Sequence, residues 1–129
     1  MIVETSALLA ILLQEKEADQ FRDAILGSDQ CTMSAVSFVE ASIIAESNGG
    51  DGSVRQLDAY LRTGGISVAP VTEEQAFVAR QAYSDYGKGR HPAGLNLGDC
   101  FSYALAKVSG EPLLFKGSDF RKTDITPAV

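Results

Sequence analysis

Apolar positions along the chain fall into two kinds: short runs of two to four residues, and longer stripes at helical spacing. Residues 1–3 read as a short buried strand, and 5–13 as the helix that it feeds. Ala18, Phe21, Ile25 and Leu26 predict a second helix over 15–26, ended by Gly27. Residues 31–33 suit a short strand, followed by a mostly apolar helix over 35–47. The polar, glycine-rich segment 48–53 predicts a loop. Val54, Leu57 and Leu61 then form a helical stripe that Gly64 and Gly65 stop.

Residues 66–69 are the third candidate strand. The spacing from Thr72 to Gln75 is that of a capping box and starts a helix carrying Phe77, Arg80 and Tyr83. The Gly- and Pro-containing stretch 86–96 is the longest predicted loop. Residues 97–108 read as a helix stopped by Gly110, 113–115 as a last core strand, and 116–123 as a loop or short helical turn. Short strands alternating with helices imply a parallel sheet covered on both faces, with ligands bound beyond the carboxyl ends of the strands.

At 129 residues, 45% of them hydrophobic, the chain has the size and apolar content of one globular domain over residues 1–129. Its longest apolar run, 7–13, is far too short for a membrane span, and Glu4 stands where a secretory signal carries a basic residue. A cytoplasmic location is expected. Cys31 and Cys100 form no CxxC pair and sit among apolar or small residues, as buried thiols do. The net charge of −6 argues against indiscriminate adhesion to nucleic acid. Its distribution is uneven: residues 1–85 carry 5 Lys/Arg against 13 Asp/Glu, and residues 86–129 carry 6 against 4.

Four acids stand at the edges of apolar runs: Glu4, Glu40, Asp99 and Asp119. Carboxylates beside core-forming segments are costly to desolvate, and a shared divalent cation is one economical compensation. Hard oxygen ligands suit Mg²⁺ or Mn²⁺, and the lone His91 cannot build a zinc site with the two cysteines at these spacings. If the four acids meet, the chemistry is metal-dependent phosphodiester hydrolysis. Three of them also have a structural reading. Glu40 has capping-box spacing to Ser37, Asp99 follows a candidate cap at Asn96, and Asp119 has the setting of a turn residue. Glu4, at a strand end before an apolar helix, has little evident structural purpose.

The ordered set points to a family. The segments MIVETSAL (1–8), SAVSFVEA (34–41), LGDCFSYALA (97–106) and LLFKGSDF (113–120) resemble, in order, the four acidic motifs of PIN-domain ribonucleases, the toxins of VapBC toxin–antitoxin pairs. The resemblance implies an α/β fold, a PIN-like three-layer α/β/α sandwich with a short, mostly parallel central sheet. It implies Mg²⁺-dependent cleavage of RNA, with Mn²⁺ able to substitute. The metal ligands and catalytic acids would be Glu4, Glu40, Asp99 and Asp119. A small VapB-like antitoxin would be the protein partner, and a homodimer through the early helices is expected.

The chain departs from the family pattern twice. Glu4 replaces the usual Asp and reaches about 1.5 Å further, one carbon–carbon bond, and Gly117 stands where many relatives carry a further acid. These departures keep a second reading in view, a catalytically weak or silent PIN-fold binding module. A phosphoacceptor signalling domain fits poorly, because 66–70 offers no aspartate. Thr5 and Ser6 either orient a carboxylate or cap the first helix. Lys88, Arg90 and His91 either contact phosphates or sit in a solvated loop. Lys116 faces the scissile phosphate or pairs with Asp119.

Overall fold

Ile2 and Val3 are adjacent, yet they belong to opposite cores, as alternating side chains of a strand must. In the computed structural model, which describes residues 1–129, β1 (Ile2–Val3) is flanked by β2 (Cys31–Ser34) and by β4 (Leu113–Leu114). β3 (Ile66–Ala69) lies outside β2. The order β3-β2-β1-β4 is parallel throughout, with Ile2 opposite both Thr32 and Leu113. Ile2, Val3, Leu113 and Leu114 are all buried, each worth about 1.5–3 kcal/mol relative to exposure.

On the face of Val3 and Leu114 lie α1 (Thr5–Leu12), α2 (Ala18–Leu26) and α3 (Ala35–Thr63), joined through Leu8, Phe21, Met33 and Leu57. On the face of Ile2 and Leu113 lie α4 (Glu73–Tyr86) and α5 (Leu97–Ser109), with Ala79, Ala82, Tyr103 and Ala104 in the core. Small residues along α4 let the two helices pack closely. The result is the α/β/α sandwich expected from the alternation of elements.

Three local expectations are corrected. Segment 48–53 is no loop: α3 runs through it and leaves helical geometry only at Gly50 (φ 65°, ψ −153°), a kink between two helical halves. Ala45 and Leu57, on either side, share one core, which holds both halves against the sheet. The second helix begins only at Ala18, and Leu26 is 78% exposed instead of packing with Phe21 and Ile25. The cysteines are both buried, and desolvation pushes the Cys100 thiol up to about 11, so it stays protonated.

Candidate active site

Chain order places β2 and β3 on one side of β1 and β4 on the other, so the carboxyl ends of β1 and β4 form a topological switch point, where α/β sheets bind ligands. Glu4 follows β1 directly, and its backbone N–H donates to the carbonyl of Leu114 on β4 (3.0 Å). Its side chain is 3% exposed. One carboxylate oxygen, Oε2, accepts from Ser6 N–H (2.8 Å) and from the Ser6 hydroxyl. Glu4 is therefore the N-cap of α1, a structural purpose that the sequence left unassigned. Capping falls to Glu4, not to Thr5 or Ser6.

Ser6 holds two segments together. Its hydroxyl also accepts the backbone N–H of Lys116, just after β4 (2.9 Å). Thr5 is buried and its hydroxyl donates to the carbonyl of Ser37 (3.4 Å). The two residues thus take different jobs.

Burial dominates the electrostatics of Glu4 and raises its pKa to about 7, against the lowering effect of the Ser6 bonds, with smaller upward pushes from Asp99 and Glu40. Asp99 is also raised, first by burial, then by Glu40 and Asp119. All four acids are thus linked by repulsion. The capping readings sort differently. Ser34, not Ser37, caps α3, so Glu40 projects from the helix interior. Asp99 does close a capping box with Asn96: each donates a backbone N–H to the other's side chain, at 2.9 and 3.0 Å. Its second oxygen is left free of that box. Asp119 is exposed at the start of the 3₁₀ turn Phe120–Lys122 and caps nothing.

Lys116 does not pair with Asp119. Its ammonium contacts Glu15, and Glu17 at 3.6 Å, leaving the four acids without a protein cation of their own. Arg90 stands over the ring of Tyr83, 5.5 Å from its centroid, on the loop before α5. His91 is occupied locally: Nδ1 accepts the N–H of Ala93 (3.0 Å) and its ring packs edge-on against Tyr86.

Two features escaped the sequence. Gly98 lets the Glu40 carboxylate lie against the start of α5, since a Cβ there would be 2.6 Å from Glu40 Oε2; glycine at a helix's second residue is the signal. The buried hydroxyls of Ser37 and Ser102 bond each other at 2.7 Å and tie α3 to α5 beneath the acids.

A divalent cation fits this donor set. Every candidate ligand is a hard carboxylate oxygen, and Glu4 and Asp99 each keep one oxygen outside the bonds that orient them. No three His, Cys, Asp or Glu side chains converge tightly enough to chelate one ion alone. A divalent ion here would complete its shell with waters and substrate phosphates beside one or two carboxylates.

Comparison with known proteins identifies the family and the fold. A family model described as PIN domain matches residues 1–125. Ribonuclease VapC from Mycolicibacterium smegmatis is 51% identical over 125 residues, covering 97% of each chain. Ribonuclease VapC30 from Mycobacterium tuberculosis is 48% identical over 125 residues, 97% of this chain and 95% of its own. Among solved structures, M. tuberculosis VapC20, a sarcin–ricin loop cleaving toxin, superposes with a TM-score of 0.76 at 15% identity, covering 97% and 95% of the two chains. A toxin–antitoxin complex from Klebsiella pneumoniae gives 0.74 at 18%, covering 95% and 92%.

Proposed function

Because this chain belongs to the PIN-domain family, we propose that it is an endoribonuclease toxin, a single nuclease domain over residues 1–129 that cleaves RNA phosphodiester bonds and is restrained by a VapB-type antitoxin. The observation that carries the reading is Glu4, buried at the switch point of the sheet and linked by charge to Glu40 and Asp99. Glu4, Glu40, Asp99 and Asp119 would together make the Mg²⁺ site, one or two of them as direct ligands and the others through the ion's waters, with Mn²⁺ able to substitute. The cation, when bound, supplies an activated water near neutral pH and neutralises charge gathering on the phosphate.

The chain's own residues prepare that site. Ser6 fixes one oxygen of Glu4 and leaves the other free. Asn96 orients Asp99 in the same way, and Gly98 leaves room for Glu40. With its pKa at about 7, Glu4 must lose a proton to become a ligand, so metal affinity rises as pH climbs through that value.

The antitoxin reading has its own support. Along the first half of α3, Val36, Val39 and Ile43 make an apolar groove that includes Glu40, and Val39 and Ile43 are more than half exposed. An apolar segment ending in Arg or Lys suits that surface. Exposed Leu13 and Leu26 on the early helices support a homodimer through them. No helix is long and apolar enough to cross a membrane, and we place the activity in the cytoplasm.

The test is cleavage of total cellular RNA started by adding Mg²⁺ or Mn²⁺ to the purified chain, with Asp99→Asn as control. Discrete metal-dependent products from wild type alone are expected. Metal binding without any cleavage would instead favour the silent binding module. Growth arrest on expression, relieved by the neighbouring small gene product, is the matching test for the antitoxin.

A further inference from the structure

The groove between α4 and the start of α5 adjoins Asp99 but has the opposite character. Ala79, Arg80 and Tyr83 form one wall, Leu97 and Phe101 the other, and Lys88 closes one end around a volume of about 560 Å³. No acidic side chain lines it, in a chain whose net charge is −6. Arg90 and Tyr83 stack at its edge, and Arg80 lies 5.0 Å from the ring centroid of Phe77. Leu97 is 71% exposed and Phe77 54%. Asn96 belongs to both places: it lines the groove and bonds the Asp99 carboxylate.

Exposed rings framed by cations stack bases and neutralise phosphates. A basic antitoxin tail would be repelled here and drawn to the apolar groove of α3 that carries Glu40. Resting on the ribonuclease reading, we infer that this groove holds the RNA strand beside the scissile phosphate. Tyr83 and Leu97 receive an unstacked base, and Arg80, Lys88 and Arg90 meet the flanking phosphates. The groove thereby selects single-stranded segments and biases which base flanks the cut.

Binding of a fluorescein-labelled random single-stranded RNA, about twelve nucleotides long, is measured in EDTA so that the strand stays intact. Tyr83→Leu keeps apolar bulk but removes the ring, and is expected to weaken binding about tenfold. Arg80→Ala with Lys88→Ala should weaken it and lower the salt slope by about one to two. Arg55→Ala, which removes a charge outside the groove, controls for net charge and should change affinity less than about twofold. Wild-type RNA affinity in both groove variants overturns the proposal, as does loss of a dimer in them with RNA binding unchanged, which would give the groove to a second copy. Cleavage by wild type is scored separately: a chain that binds through the groove but never cuts refutes the ribonuclease reading alone, and one that cuts while the groove variants bind normally refutes the groove alone.

Discussion

A Cβ on Gly98 would lie 2.6 Å from Oε2 of Glu40 and 3.1 Å from its Cδ, so the start of α5 is shaped around the acid of another helix. The obstructed atoms are the end of a flexible side chain, which can swing aside without moving backbone. Gly98→Ala should therefore leave the fold intact, and the better helix former offsets strain by up to about 1 kcal/mol. RNA cleavage should fall while the melting temperature holds or rises. Measuring both on one preparation checks this, and full activity in the alanine variant would free Glu40 from the site.

Asp99→Asn should abolish cleavage with the fold preserved. Asparagine retains an oxygen able to accept the Asn96 N–H, so the capping box survives while the charge is lost. Circular dichroism and a cleavage assay together decide it: undiminished turnover at saturating Mg²⁺ would remove Asp99 from the ligand set.

Ser6→Ala should weaken metal binding more than it weakens the fold. The variant deprives Glu4 Oε2 of one donor and the Lys116 N–H of its acceptor. Loss of such an orienting contact costs about 10–100-fold in metal affinity or activity. The readout is the Mg²⁺ concentration giving half-maximal cleavage; an unchanged value would make Ser6 a bystander.

Stability without metal should fall as pH rises from about 4.5 to about 7. Glu4 is raised from 4.5 to about 7 in the fold by burial, so across that window the native state binds more protons than the unfolded chain, and ∂ΔG/∂pH is negative. The full penalty above the window is on the order of 3 kcal/mol. Glu4→Gln should flatten the slope, and Mg²⁺ at pH 8 should restore stability by binding only the folded state. Melting curves in EDTA at several pH values, for wild type and Glu4→Gln, test it; parallel profiles would show that Glu4 does not titrate in this range.

Glu4→Asp probes the residue that departs from the family pattern. The shorter acid should retain or gain activity, and the ratio of Mn²⁺- to Mg²⁺-supported cleavage should fall, because Mn²⁺ is expected to tolerate the longer ligand's geometry better than Mg²⁺, which demands a near-ideal octahedron. Assaying wild type and variant with each metal checks this. Equal ratios would mean that the added methylene has been absorbed by the backbone.

The sequence by itself determined the local elements and the fold class, because periodicity, caps and stops act within a few residues. Thr72 and Gly110 end or begin helices where their chemistry places them, and the four strand cores lie where apolar runs stand. The four acids were also legible, as charges beside apolar runs in a family-like order. Tertiary structure decided what they touch. Glu4 caps α1 while lying buried, Asp99 is both box partner and neighbour of Glu40, and Lys116 turns to Glu15 across a hundred residues of chain. Gly50 kinks α3 instead of opening a loop because packing on both sides of it holds the helix to one core. Contacts of that range depend on the parallel strand order, which brings distant segments to one end of the sheet, and local sequence rules carry no information about that order.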